Sequence, residues 1–161
     1  MNLDAIFETF NRRQVDYLLI GGMNFLLRHA PILTFDADLW IQDSHENRWR
    51  CEMALVELEA EWGPTDATWG PVKDFPHGWL ESQMVFCLNS THGAIDIFRS
   101  VRGLDDWSQA ALTAVDEQTS SGTPYRGLSD ALMLQCQLAL EPQRRKQERV
   151  KKLESVLKGS P

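Results

Sequence analysis

Two aspartates alternate with apolar residues in LTFDADLWI, residues 33–41, a run whose β-branched and aromatic content predicts a strand. Successive side chains on a strand point to opposite faces, so Asp36 and Asp38 share one face while Phe35, Ala37 and Leu39 take the other. Two carboxylates held side by side repel, and one takes up a proton unless a positive group sits between them. A hard divalent ion such as Mg2+ or Mn2+ resolves that conflict, because it favours carboxylate and phosphate oxygens.

The flanking sequence gives the pair a setting. DYLLI, residues 16–20, reads as a short buried strand that runs into Gly21 and Gly22 and then a helix from Met23 to His29, stopped by Pro31. Glycine lets the backbone approach a ligand closely, and the start of the following helix offers unpaired amides to the oxygens of a triphosphate. Further on, SQMVFCL and AIDIF, separated by NSTHG, predict a hairpin, with Asp96 framed by two isoleucines that alternation sends to the opposite face. If that strand neighbours FDADL, three carboxylates converge, enough for the two metals that phosphoryl-transfer enzymes hold about 3.5–4 Å apart.

The remaining elements read as follows. Asn2 caps a first helix with Leu3, Ile6, Phe7 and Phe10 on one stripe. Asp43 and Glu46 form a capping-box pattern ahead of a helix to about Glu61, with Trp49, Met53, Val56 and Ala60 as its apolar face. Residues 63–79, rich in Pro and Gly, predict a long mobile loop that carries Trp69 and Trp79 where they could stack a base, while Trp49 and Trp62 are expected in the core. DDWSQAALT predicts a short helix, AVDEQ and TPYRG a pair of small strands, Ser129 a cap on a helix through Leu140, and Pro142 the opening of a last helix to about Leu157.

The 161 residues suit one domain, and 43% apolar with 24% charged residues suits a packed core. No run approaches the length that spans a bilayer and the start lacks the pattern of a signal peptide, so the expected location is the cytoplasm and no membrane partner is expected. Cys51, Cys87 and Cys136 have no metal-ligand spacing and are expected as core thiols, and His29, His45, His77 and His92 are assigned no site. The net charge of −7 is uneven: residues 141–161 carry seven bases and three acids, the run RRKQERVKK reading as a solvated helix face, and the rest is strongly acidic. Such a body repels long nucleic acids, so no strong nucleic-acid signal is present. Arg28 and Lys73 are the basic residues considered for phosphate contact.

Taken together, the Gly21-Gly22 turn, the helix, the Thr34-x-Asp36-x-Asp38 strand and the later IDIF strand with Asp96 resemble the nucleotidyltransferase superfamily with the DNA polymerase β fold, in particular its small bacterial members. The resemblance extends over most of residues 15–157 and includes, more loosely, the helix from Ser129. It implies an α/β (α+β) fold with a mixed central sheet flanked by helices, a catalytic core over 1–128 and a C-terminal helical pair over 129–157. It also implies Asp36, Asp38 and Asp96 as catalytic and metal-binding residues, Gly21, Gly22 and Thr34 as nucleotide-binding residues, and Mg2+ or Mn2+ as cofactor. The implied activity is metal-dependent transfer of a nucleoside monophosphate from an NTP to a hydroxyl of a protein, an RNA or a cationic small molecule, in some relatives within a toxin–antitoxin pair with a partner protein.

Three positions depart from the pattern: Ile32 where relatives often carry Arg, Gln135 where many carry Lys, and Gln147 at the acidic place of an R-x-K-D ending. They favour the rival reading, an inactive module of the same fold that binds a nucleotide or a partner protein. The bland reading of the acids is an exposed edge for Asp36 and Asp38 and an ion pair with Arg99 for Asp96.

Overall fold

The computed structural model describes residues 1–159. Asn2 accepts from the Ala5 amide (3.1 Å) and opens α1 (Leu3–Arg12), which buries Ile6, Phe7 and Phe10 as its spacing predicts. β1 (Tyr17–Leu19), α2 (Gly21–Arg28) and β2 (Asp36–Ile41) follow, so the helix begins at Gly21 and not at Met23. Gly21 itself adopts a φ of 65°, and its left-handed turn feeds the chain straight from strand to helix.

α3 (His45–Glu57) corrects three expectations. Its cap is Ser44, whose hydroxyl accepts from the Asn47 amide, while Asp43 is engaged by Arg48 and Arg99, so the Asp43–Glu46 capping box does not form. The helix ends at Glu57, four residues early, where Glu59 turns left-handed with a φ of 53°. Its buried stripe is Cys51, Ala54, Leu55 and Leu58, which turns Trp49 outward to 51% exposure. The stripe holds helical spacing as well as the predicted one does, and it wins because its smaller side chains let α3 sit close to α1 and the sheet.

β3 (Glu61–Trp62) and β4 (Gly70–Pro71) form a short antiparallel edge. The second half of the predicted loop 63–79 is anchored: short 3-10 turns carry Val72, Phe75 and Trp79 against the core, and Trp79 stacks on Trp62 at 5.7 Å and meets Phe86 edge-on at 5.2 Å, while Pro64, Thr65, Ala67, Thr68 and Trp69 stay exposed. Trp79 is therefore a core residue and cannot stack a base; Trp62, expected in the core, is partly buried and packs against it. Trp69 stays 38% exposed, with its indole N–H directed to Glu61 (3.3 Å).

The predicted hairpin is β5 (Val85–Ser90) and β6 (Gly93–Phe98). α4 (Trp107–Leu112), capped by Asp106, leads to the antiparallel pair β7 (Val115–Gln118) and β8 (Pro124–Gly127). α5 (Asp130–Leu138) stops two residues short of Leu140, and Ser129 starts it through its backbone carbonyl, which accepts from Met133, without a side-chain cap. Pro142 opens only a 3-10 turn, and α6 (Gln147–Leu157) begins five residues later.

The eight strands form one mixed sheet in the order β4-β3-β5-β6-β2-β1-β8-β7, with β2–β6 and β1–β8 parallel. One face is buried by α1, α3 and the aromatic segment, over Leu19, Leu39, Ile41, Phe86, Ile95 and Ile97. On the other face the C-terminal helices and α4 cover Leu18, Ile20 and Trp40, with Phe98 of β6 packed against the margin of that cluster. The β5 residues on that second face, Val85, Cys87 and Asn89, are exposed, so the cover ends at the middle of the sheet. Of the three cysteines only Cys51 is a fully buried core thiol; Cys87 is exposed and Cys136 half-buried. No helix among the described residues is long and apolar enough to cross a membrane.

Candidate active site

The three aspartates lie where the helical cover stops. Parallel pairing sets Asp38 beside Asp96 and Asp36 beside Ala94, which puts all three carboxylates on the half-covered face, with one oxygen from each within 4.8 Å of the others. Among the described residues this is the group of His, Cys, Asp or Glu side chains able to hold a metal ion. The hairpin alone does not achieve it: β6 reaches β2 by a parallel pairing that no local sequence signal specifies.

Burial, then the charges of Asp36 and Asp96, push the Asp38 carboxyl from 3.8 up to about 7. Asp96 is raised too, chiefly by burial, against a hydrogen bond from the Cys87 thiol that stands opposite it on β5. Partial desolvation of the otherwise exposed Cys87 thiol, then the Asp96 charge, pushes it up to about 11, so it remains a neutral donor. Arg99 does not pair with Asp96; it grips Asp43 through two bonds of 2.9 and 3.0 Å. The donor set therefore fits a hard cation: three carboxylates that stand in no ion pair among the described residues, and a repulsion that a divalent ion would remove.

The glycine turn wraps this cluster. A Cβ on Gly21 would lie 1.8 Å from Asp38 Oδ2, and the Gly22 amide points at the same oxygen at 3.4 Å. A Cβ on Gly22 would lie 2.7 Å from Thr34 Oγ1, and that hydroxyl donates to Asp36 Oδ1 at 3.1 Å. Gly21, Gly22 and Thr34 thus stand at the acids.

Neither a protein-family model nor a curated protein matches the sequence. Solved structures do resemble it. A protein of Thermotoga maritima assigned as a nucleotidyltransferase shares 18% identity at a TM-score of 0.55, over 98% of this chain and 89% of that one. The antibiotic-resistance factor ANT(2'')-Ia matches at 12% identity and a TM-score of 0.56, over 98% of this chain and 81% of that one. A structure of ANT(2'')-Ia with adenylyl-2''-tobramycin matches at 13% and 0.59, over 96% and 87%. The chain has the nucleotidyltransferase fold.

Within this nucleotidyltransferase fold, the basic residue at the site is one the sequence reading missed. Arg149, on α6, brings a guanidinium nitrogen to 3.1 Å of where a Gly22 Cβ would be, and its charge acts on Asp38 and Asp36. Its guanidinium also lies 5.8 Å from the Phe25 ring centre, and burial lowers its pKa. RRKQERVKK looks like a solvated face, yet Arg149 precedes Leu153 by one turn on the stripe that α6 buries, and that spacing was the available signal. A cleft of about 560 Å3 opens from Arg149 between residues 30–33 and α6, lined by Ile32, Leu33, Lys146 and Lys152 among others.

The other basic candidates lie elsewhere. Arg28 is 9% exposed and spent on Asp130 (3.0 Å) and the Leu128 carbonyl (3.0 Å). Lys73 lies beyond β4 on the sheet edge, in a groove with Glu59 and Glu61. Gln135 donates to the Gly103 carbonyl (2.7 Å), a structural task, and Gln147 starts α6. The histidines stay apart from the acids: His29 meets Asp130 and His45 faces Glu81.

Proposed function

We propose that the protein transfers a nucleoside monophosphate from an NTP to a hydroxyl of an acceptor. The observation that carries this reading is the convergence of Asp36, Asp38 and Asp96 within 4.8 Å beneath the Gly21-Gly22 turn, with Arg149 at its rim. Residues 1–128 then act as the catalytic core, and the helices of 129–157 complete it by bringing in Arg149.

Asp36, Asp38 and Asp96 would hold Mg2+ or Mn2+, which supplies Lewis-acid polarisation of the phosphate and of the attacking oxygen when bound. The amides at the start of α2, Thr34 and Arg149 bind the triphosphate, and the basic cleft beside Arg149 receives its β and γ ends. Asp96 faces the uncovered half of the sheet, where an acceptor can approach, and takes the proton of the acceptor hydroxyl. The acceptor oxygen bonds the α-phosphorus, the bond to the β-bridging oxygen breaks, and pyrophosphate leaves with that electron pair. Cys87 keeps the Asp96 carboxylate oriented through its S–H donor.

For the acceptor, a cationic small molecule suits the acidic body better than a nucleic acid, whose phosphates a net charge of −7 repels. The adenylylated tobramycin bound to ANT(2'')-Ia is an acceptor product of that chemistry on the same fold.

Metal titration tests the reading. Mg2+ or Mn2+ should raise the melting temperature of the wild type, because a ligand that binds only the folded state stabilises it, and Asp38→Asn should abolish the rise. An equal rise in wild type and variant would remove the role given to the triad. Nucleotide binding with no transfer to any acceptor would mark a sensing module instead.

A further inference from the structure

The uncovered half of the sheet carries chemistry that the triad does not use. Register links Asp36 through Ala94 and Asn89 to Glu61, and Asp38 through Asp96 to Cys87, so all of these side chains stand on one face. On that face Val85, Cys87, Asn89 and Glu61 are exposed, while their alternating neighbours Phe86, Leu88 and Trp62 pack into the core beneath. Among the described residues no helix covers the strip from β5 outward, and its far end is closed by Trp69, whose indole donates to Glu61 at 3.3 Å and remains 38% exposed.

The charge along this strip is mostly negative. Asp36, Asp38 and Asp96 sit at one end and Glu61 at the other, with Glu59 just behind it; Lys73 at the outer edge is outnumbered. An aromatic face beside a carboxylate that its own N–H orients is a receptor for an ammonium group. The spacing also selects length. Glu61 is two strands from Asp96, and neighbouring strands lie about 4.8 Å apart, so the distal end of the strip is roughly 10 Å across the sheet from that carboxylate.

We propose that Glu61 and Trp69 are specificity-determining residues, the distal anchor of an acceptor platform that selects a cationic, hydroxyl-bearing molecule long enough to reach from them to Asp96. The inference rests on the nucleotidyl-transfer reading for the word acceptor. A single amino-sugar ring placed with its hydroxyl at Asp96 falls short of Glu61, whereas a molecule of two or three linked rings reaches it. The Glu61 carboxylate and Trp69 ring hold the remote ammonium group, and that anchoring places the reacting hydroxyl without touching it.

The test measures binding without nucleotide or metal, in low salt, by calorimetry and tryptophan fluorescence. The probes are tobramycin (three rings, cationic), glucosamine (one ring, cationic) and maltotriose (three rings, neutral). Tobramycin should bind the wild type at least tenfold tighter than either of the others and should change the fluorescence. Glu61→Gln and Trp69→Ala should each weaken tobramycin by about threefold to tenfold, the scale of one exposed charge or cation–π contact, and leave glucosamine unchanged. Both side chains are exposed, and unchanged melting temperatures in the variants verify that the fold is kept; Glu61→Lys serves as a second variant and should weaken tobramycin further. Tobramycin affinity that is undetectable, equal to that of maltotriose, or unchanged in the Glu61 and Trp69 variants would overturn the assignment. The nucleotide reading stands or falls separately: loss of the metal-induced melting shift with tobramycin binding intact would sink the transferase and leave the platform.

Discussion

The Asp38 carboxylate occupies the space that a side chain at position 21 would need: a Cβ on Gly21 would lie 1.8 Å from Asp38 Oδ2. The left-handed backbone of Gly21, at a φ of 65°, is what lets strand, turn and acid share that space. Gly21→Ala should therefore be costly twice, through about 1–2 kcal/mol of backbone strain and through displacement of Asp38. A fall of roughly 3–8 °C in Tm together with loss of the Mg2+-induced shift is expected by thermal melting. A variant that melts normally and still responds to Mg2+ would show that the close approach is dispensable.

The metal-free protein should report Asp38 in its pH dependence. Burial and the neighbouring acids raise this carboxyl from 3.8 to about 7, so between these values the folded state binds a proton that the unfolded chain does not. The resulting stability is fully present below pH 3.8 and is lost as pH rises through about 7. In EDTA, wild type minus Asp38→Asn should thus show a stability difference that moves against the wild type as pH climbs across this window, read by urea unfolding. A flat difference would mean that the carboxylates do not compete for charge.

Arg149 should matter for nucleotide and not for acceptor. Its guanidinium at Gly22 is placed to bond phosphate oxygens, and charge-assisted bonds of this kind contribute about 1.5–3 kcal/mol. Arg149→Ala should raise the KM for NTP about tenfold to a hundredfold with the acceptor KM unchanged, and Arg149→Lys should recover only part, because it loses the two-pronged geometry. Equal effects on both KM values would place Arg149 in a general structural role.

The site was more legible in the sequence than the packing around it. Alternation fixed the common face of Asp36 and Asp38, and the isoleucines around Asp96 fixed its face as well. The β2–β6 register that joins them depends on a long-range pairing and has no local signature. Arg149 was hidden because a basic run looks solvated whether or not one member turns inward. Trp49 and Trp79 exchanged places for opposite reasons: size suggested burial for Trp49 although another stripe of α3 fits the core better, and Pro and Gly around Trp79 suggested a loop although its ring had Trp62 and Phe86 to pack against.

That exchange has an energetic consequence. Trp79→Ala removes the ring stacked on Trp62 and should cost about 3–5 kcal/mol, whereas Trp49→Ala should stay within about 0.5 kcal/mol. Urea denaturation of the two variants measures the contrast directly, and comparable losses would contradict the packing described for residues 72–79.

Transfer itself is the most direct test of the account. Wild type, Asp38→Asn and Asp96→Asn are incubated with each NTP labelled at the α-phosphate, Mg2+, and an acceptor panel of tobramycin, RNA and candidate proteins. Label is expected on an acceptor with the wild type and only background with either variant, each still folded by its melting curve, since the substitutions keep size and remove the charges at the reacting centre. Label transfer that survives both substitutions, or bound nucleotide with no labelled acceptor from any NTP, would contradict it.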